Sequence, residues 1–285
     1  MLNESAAEVL SHSSNIHSQS GEDGVIDYLL ERISNRNKWC VEFGAWDGIY
    51  LSNTLNLIEN LEYSAVLIEG NTKKYHELCR NMQEFERVTC ANEFVGFSQS
   101  DSLDNLLAKT GCPVDFDLLS VDIDGNDYHT INAMELYRPK LICVEFNPSI
   151  PSIVNYVQPA DPEISRGSSL RAFYELGKEK DYKLVCANKF NAFLVRGDLW
   201  QGEYVRNDSE LMAFRQEEPP LSVVFSGFDG TVMLTEPHDM LWHDEKLTAV
   251  DVQKFPASLR RYPGNYNWLQ WKMFKWRRRF KRLLG

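Results

Sequence analysis

Short apolar runs alternate with helical segments along most of the chain, and this alternation constrains the fold more than any other feature. The runs that predict strands cover residues 39–43, 64–68, 87–92, 116–121, 141–146, 183–187 and 192–195. Apolar residues at helical spacing predict intervening helices over residues 52–61, 72–82, 102–109, 127–136 and 169–180. Strands that are separated by helices form a parallel sheet with both faces covered.

Only residues 188–191 separate the last two predicted strands. So short a connection cannot cross over to join parallel strands, so the last strand must run antiparallel. A mainly parallel sheet of seven strands with its last strand antiparallel is the outline of the Rossmann-like class I methyltransferase fold. The sequence therefore predicts an α/β domain of this type with C-terminal additions.

Composition changes along the chain predict four segments. Residues 1–20 are polar and rich in serine, which predicts a flexible N-terminal segment. The main domain covers residues 21–196, and an extension over residues 197–259 contains a possible hairpin that turns at Asp229-Gly230. Residues 260–285 form a basic amphipathic tail helix.

Charge is distributed unevenly. The net charge is −11, yet residues 260–285 hold nine Lys and Arg and no acid, so the preceding residues carry −20. An acidic body repels phosphates, so we expect no nucleic-acid partner. The chain has no long apolar run and no secretory leader, which predicts a cytoplasmic protein.

The tail has the pattern of a helix that lies in a membrane interface. Its apolar residues fall on one helical stripe, and basic residues flank it: Leu269, Met273, Trp276, Phe280, Leu283 and Leu284 against Lys272, Lys275, Arg278, Arg279 and Arg282. This predicts a peripheral protein on the inner face of an anionic membrane. The alternative is a helix that packs on the acidic body or on a partner subunit.

Ligands of doubly wound sheets bind beyond the carboxyl ends of the strands, and these ends are polar here. Strand one leads into a turn with Gly44 and Gly48, and strand two ends at Glu69, 25 positions after Gly44, where an acid can bind ribose hydroxyls. Acids on both sides of the turn, Glu42 and Asp47, disfavour a pyrophosphate but suit the cationic sulfonium and ammonium groups of S-adenosylmethionine. A nicotinamide dinucleotide would need a G-x-G-x-x-G turn, which is not present.

Five blocks resemble the FkbM-type family of S-adenosylmethionine-dependent methyltransferases: SQSGEDGVIDYLLE, VEFGAWDGIYLSNT, LIEGN, DLLSVDIDGNDYH and RPKLICVEFNPSIP. The resemblance covers about residues 18–196. It implies that cofactor contacts come from the first three blocks and the end of strand three. The implied residues are Gln19, Gly21, Glu22 and Asp23 over the cofactor, Glu42, Gly44, Ala45, Asp47, Gly48 and Asn53 around the methionine part, Glu69 and Gly70 at the ribose, and Asn92 and Glu93 at the adenine.

Members of that family largely methylate oxygen on sugars or natural-product scaffolds. The resemblance therefore implies O-methylation of a sugar or polyol in surface polysaccharide or glycoconjugate biosynthesis. Two other classes of function stay open: a non-catalytic scaffold associated with a membrane, and a nicotinamide-dependent oxidoreductase.

Strands four and five are neighbours, so the residues that follow them should surround one crevice. Asp122 and Asp124 follow strand four, and Glu145 and Asn147 end strand five. An acceptor hydroxyl must lose its proton. The proton could go to a general base, for which the candidates are Asp122, Asp124, Glu145 and His129. Alternatively, the three carboxylates could hold Mg, Mn or Fe, which would help the hydroxyl to lose its proton. Alternatively, Asp122 and Asp124 merely cap the next helix, and His129 is a packed surface residue.

A long loop over residues 148–168 follows strand five and contains several apolar side chains. Loops of this length with apolar residues usually cover a site, which predicts a lid over the acceptor pocket. Arg166 and Arg171 could bind an anionic acceptor together with Asn147, or pair with acids of the protein surface.

Overall fold

The computed structural model describes residues 2–284, and side chains up to residue 280. The chain divides into two compact units, Met1–Glu218 and Pro219–Gly285. Within the part of the chain that the structure describes, no helix is both long enough and apolar enough to cross a bilayer.

The first unit is built on one sheet with the strand order β3-β2-β1-β4-β5-β7-β6. Its strands are β1 (Trp39–Phe43), β2 (Ser64–Ile68), β3 (Val88–Ala91), β4 (Leu118–Val121), β5 (Leu141–Glu145), β6 (Tyr182–Ala187) and β7 (Asn191–Arg196). The pairs from β3 to β5 are parallel, whereas β7 lies antiparallel between β5 and β6. This is the predicted Rossmann-like class I methyltransferase fold, and the predicted antiparallel last strand is confirmed.

The central strands are buried along nearly their whole length. Because successive strand residues point to opposite faces, continuous burial means that both faces of the sheet are covered. The first unit's helices are α1 (Glu4–Ser11), α2 (Glu22–Arg32), α3 (Leu55–Asn60), α4 (Thr72–Asn81), α5 (Leu103–Leu107), α6 (Asp127–Ala133) and α7 (Leu170–Glu179).

The N-terminal segment over residues 1–20, predicted to be flexible, contains the helix α1. The side chain of Asn3 accepts hydrogen bonds from the amides of Ser5 and Ala6, which caps the helix. Ala6, Val9 and Leu10 are buried along one face. The sequence did not indicate this short apolar stripe, because residues 1–20 are polar on average.

The predicted extension begins later than residue 197, because residues 197–218 belong to the first unit. A 3₁₀ helix over Asp208–Phe214 buries Leu211 and Phe214. Arg215 bridges to Ala187 at the end of β6, and the Gln216 amide donates to the Ala187 carbonyl. Contact with the sheet edge therefore holds this segment.

The second unit contains two hairpins and a long helix. The predicted hairpin is confirmed as β8 (Val224–Ser226) and β9 (Val232–Leu234), and β10 (His238–Met240) pairs with β11 (Glu245–Leu247). The helix α8 (Trp268–Leu284) begins eight residues after the predicted start. Asn267 and Gln270 exchange side-chain-to-amide hydrogen bonds there, which is a capping box.

Candidate cofactor and acceptor site

A tight turn follows β1 and needs glycine at two positions. Gly44 has a φ of +77°, and a Cβ atom there would lie 1.7 Å from the Asp122 carbonyl oxygen. Gly48 has a φ of +78°, and its Cβ would lie 2.6 Å from the side chain of Leu78. Only glycine adopts this backbone without strain and allows β1 and β4 to approach so closely.

The amides of this turn are mostly bonded within the protein. Gly44 and Ala45 donate to the Ile68 carbonyl, Gly48 donates to the Ala45 carbonyl, and Ile49 and Tyr50 donate to Asp47 Oδ1. A dinucleotide pyrophosphate requires free amides at such a turn. The geometry therefore weighs against the nicotinamide hypothesis, in agreement with the missing glycine pattern.

Glu69 ties the turn to the end of β2. Its buried carboxylate accepts hydrogen bonds from the Trp46 amide at 2.8 Å and from the Asn71 amide at 2.7 Å. Asn92 donates to the Glu69 carbonyl at 2.7 Å, so the ends of β2 and β3 are linked. Each carboxylate oxygen keeps a second lone pair, which leaves Glu69 able to accept from ribose hydroxyls.

The segment after β3 has an aromatic residue that the sequence did not single out. Phe94 is 78% exposed and covers Gly70, where a Cβ would lie 2.5 Å from its ring. Glu93 is exposed beside it. An exposed aromatic ring at the end of β3 offers a flat surface on which a base can stack.

Glu42 is buried and bonded to the protein itself. Its carboxylate accepts from Ser52 Oγ and Thr54 Oγ1, each at 2.7 Å, and from the Asn53 amide at 2.9 Å. Burial raises the pKa of Glu42, and these hydrogen bonds oppose the rise. The Asn53 side chain in turn donates to Ser120 Oγ at 3.1 Å. These contacts hold the segment before α3 against β1 and β4.

Glu22 and Asp23, two of the residues expected over the cofactor, are also buried. Glu22 accepts from the side chains of Asn188 and Asn191 in the β6–β7 turn. Asp23 Oδ2 accepts three amides over residues 16–18 and Ser18 Oγ, all at 2.8 Å. Both acids thus shape the segment that precedes α2, in which Gly21 has a φ of +95° and Gln19 is exposed.

Three predicted carboxylates converge at the ends of β4 and β5. Oxygen atoms of Asp122, Asp124 and Glu145 all lie within 4.8 Å of one another. Desolvation in the crevice raises the pKa of both Asp122 and Glu145, and the neighbouring carboxylates raise it further. Repulsion of this kind is relieved by a proton or by a cation.

Among the described residues, no side chain caps α6 at its N-cap residue Asn126, and the turn before the helix is ordered by Asp127. Buried Asp127 accepts from the Ile123 amide at 3.0 Å and from the Gly125 amide at 2.9 Å. The carboxylates of Asp122 and Asp124 are therefore not needed to order this turn. His129 is not one of the three converging carboxylate-group residues. Its Nε2 donates to the Gln158 carbonyl at 2.8 Å. This bond makes His129 a support for the loop over residues 148–168.

The loop over residues 148–168, here called the lid, is organised by buried Gln158. Its side chain accepts from the Arg166 and Gly167 amides at 2.9 and 3.0 Å and donates to the Ile164 carbonyl at 2.8 Å. Asn147 joins the lid to β5 by donating to the Arg166 carbonyl at 2.7 Å. The side chains of Arg166 and Ile153 are exposed, Ile153 by 54%.

Buried Arg215 clamps the start of the lid. Its guanidinium donates to the Pro148 carbonyl at 2.6 Å and to the Ile150 carbonyl at 2.9 Å. It also pairs with Glu218, whose carboxylate accepts from the amide and hydroxyl of Ser152. The sequence did not indicate Arg215, because its lid partners lie more than 60 positions away and no local pattern marks them.

Arg171, predicted to bind the acceptor, has protein partners. It forms an ion pair with Asp208 and donates to the Ile153 carbonyl at 3.0 Å. Arg171 therefore joins the lid to the 3₁₀ helix. This agrees with the alternative interpretation, in which the arginine pairs with an acid of the protein surface. Arg166 is the predicted arginine whose side chain is exposed.

No model of a protein family matches this chain, and no curated protein matches it. The FkbM-type resemblance thus stays a prediction. Solved structures are similar at low identity. The O-methyltransferase from Bacillus cereus in complex with SAH is 17% identical with a TM-score of 0.42, over 68% of this chain and 92% of that one.

Two other structures are similar to the same degree. M. capricolum TrmK with S-adenosyl-homocysteine is 10% identical with a TM-score of 0.40, over 66% of this chain and 73% of that one. A SAM dependent methyltransferase from Aquifex aeolicus is 8% identical with a TM-score of 0.39, over 67% and 98%. Similarity at this level does not identify a reaction or an acceptor.

Proposed function

We propose that the chain is an S-adenosylmethionine-dependent methyltransferase that acts on a hydroxyl oxygen of a sugar or polyol. The observation that carries the proposal is the crevice at the carboxyl ends of the parallel strands. A buried carboxylate at the end of β2 is tied to a glycine turn after β1, and three further carboxylates converge at β4 and β5. Ligands of open α/β sheets bind beyond the carboxyl ends of the strands. The first group would therefore face the nucleoside, and the second would face an acceptor next to the methyl group.

The sign of the charge supports this cofactor. Asp47 and the β4–β5 carboxylates make the crevice acidic, and the turn offers few free amides to a phosphate. Sulfonium and ammonium groups are cations, so such a crevice favours them. Exposed Phe94 would provide a stacking surface for adenine.

The carboxylates have the chemistry that an O-methyl transfer requires. The acceptor oxygen displaces the sulfonium sulfur at the methyl carbon, so an O–C bond forms, the S–C bond breaks and S-adenosylhomocysteine leaves. The hydroxyl proton must go to a base, and a raised pKa suits a carboxylate to that role. Asp122 is the proposed base, and Glu145 supports it through their mutual contact.

The same three carboxylates fit a hard divalent cation such as Mg, Mn or Fe. They supply oxygen ligands at mutual distances that allow one ion to be shared, and a cation would lessen the repulsion among them. Asp122, Asp124 and Glu145 would hold the ion, which would lower the pKa of an acceptor hydroxyl. Activity with EDTA, and after re-addition of each metal, decides between the base and the ion.

The acceptor class is tested by methyl transfer from labelled cofactor to a panel of sugar nucleotides, sugar phosphates and polysaccharide fragments. We expect one of these to be labelled, and we expect Asp122→Asn and Glu145→Gln to abolish labelling. Glu86→Gln, at an exposed position outside the crevice, is the matched control and should retain activity.

A scaffold without catalysis makes the opposite prediction. It requires that Asp122→Asn and Glu145→Gln leave the biological role of the chain intact, with no labelled product from any acceptor. That pair of results would refute the methyltransferase proposal.

A further inference from the structure

One face of α8 is packed within the second unit. Phe274 contacts the rings of Phe255, Tyr266 and Trp271 at centroid distances of 5.6–6.3 Å. Tyr266 donates to the Leu259 carbonyl at 2.7 Å, and Leu259 is buried. This aromatic cluster fixes the rotation of the helix about its own axis.

The opposite face is apolar and exposed. Leu269, Met273, Trp276 and Phe280 recur at helical spacing and are 52%, 40%, 68% and 50% exposed. We call these four residues the outer stripe. A contiguous exposed stripe that contains large aromatic residues marks an interaction surface, because isolated exposed side chains would be scattered.

Positive charge borders the outer stripe. Lys272 and Arg279 are exposed beside it, and Lys275 and Arg278 are exposed elsewhere on the same helix. Residues 260–285 contain no acid, although the remainder of the chain is strongly acidic. An apolar stripe with cations beside it complements a surface that is apolar inside and anionic at its edge.

We propose that the outer stripe of α8 binds the surface of an anionic lipid bilayer. The helix would lie parallel to the surface, with Trp276 and Phe280 below the headgroups and Lys272 and Arg279 beside the lipid phosphates. Each basic residue near an anionic leaflet strengthens binding by about fivefold. This proposal is independent of the methyltransferase proposal.

The test is flotation of the full chain with vesicles of phosphatidylcholine alone and with equimolar phosphatidylcholine and phosphatidylglycerol. We expect binding to the anionic vesicles, weak binding to the neutral ones, and a loss of binding as salt rises. The double variant Lys272→Gln, Arg279→Gln should bind about 25-fold more weakly, from about fivefold per charge.

Trp276→Ser, Phe280→Ser tests the apolar contact. Both side chains are exposed, so the change should leave the fold and the circular dichroism spectrum intact while vesicle binding is lost. Phe228→Ser removes an aromatic side chain that is 94% exposed elsewhere in the second unit, and it should bind as the wild type does.

Two results would overturn the proposal. In one, the chain binds neutral and anionic vesicles equally, or the stripe variant binds as the wild type does. In the other, the chain binds no vesicle, and light scattering shows a dimer that Trp276→Ser, Phe280→Ser converts to a monomer. A second copy would then cover the outer stripe.

Discussion

The clamp at the start of the lid can be tested by replacing Arg215 with methionine, which keeps most of the stem volume. The substitution removes hydrogen bonds to two main-chain carbonyls at 2.6 and 2.9 Å and the pair with Glu218 at 3.3 Å. Arg215 is only 3% exposed, and burial is the main cause that lowers its pKa, so the guanidinium depends on these partners.

The expected loss of stability follows from these contacts. Each hydrogen bond to a charged group contributes about 1.5–3 kcal/mol, and the desolvation recovered on removing the charge offsets part of their sum. Breaking a buried charge pair typically costs about 3–5 kcal/mol, and we expect a value in that range. Arg206→Met is the control, since its pair with Glu203 is exposed on both sides and contributes at most about 1 kcal/mol.

Urea unfolding of both variants measures the difference, with the slope m checked for constancy. Trypsin provides a local measure, because exposed Arg166 lies within the lid. Cleavage after Arg166 should be faster in Arg215→Met than in Arg206→Met. Equal stability losses and equal cleavage rates in the two variants would refute the clamp.

Three further substitutions test other parts of the structure. Glu69→Gln should weaken S-adenosylmethionine binding in calorimetry by about 10–100-fold, because a charged hydrogen-bond acceptor contributes about 1.5–3 kcal/mol. Lys140→Met leaves buried Asp117 without its partner at 2.7 Å and should lower the free energy of unfolding by about 3–5 kcal/mol. Burial raises the pKa of Asp27, so the folded state binds the carboxyl proton of Asp27 more tightly than the unfolded state does, and stability falls as pH rises. Asp27→Asn should therefore stabilise the protein more at about pH 7 than at about pH 4.

Each of these expectations has a result that contradicts it. Unchanged cofactor affinity in Glu69→Gln would remove this residue from the nucleoside site. A stability loss below about 1 kcal/mol in Lys140→Met would mean that the ion pair is not desolvated. A melting temperature for Asp27→Asn that shifts equally at both pH values would show that its titration is not linked to folding.

The sheet could be predicted from the sequence because its strands are local, continuous apolar runs. The predicted and observed bounds of β1 and β2 are identical, and those of β4 and β5 differ by at most two residues. The short connection over residues 188–191 decided the direction of β7 by chain length alone. Strand ends then placed Asp122 and Glu145 together, since neighbouring strands bring their ends to one edge.

Features that depend on distant contacts could not be predicted. Arg215 acts on a lid more than 60 positions earlier, and nothing near it in the sequence distinguishes it from a surface arginine. Asp127, and not Asp122 or Asp124, orders the turn before α6, because all three are acids in one short run and only the backbone path separates them. The helix α1 likewise could not be predicted, because its formation depends on burial of its apolar face against the rest of the unit.

The proposed function requires that the crevice binds S-adenosylmethionine. Calorimetric titration of the purified chain with S-adenosylmethionine, S-adenosylhomocysteine and NAD, with and without magnesium, manganese or EDTA, tests it most directly. We expect saturable binding of the first two compounds and none of NAD, with retention of binding in Glu86→Gln. Absence of binding by both adenosyl compounds under every metal condition, from protein that remains folded, would contradict it.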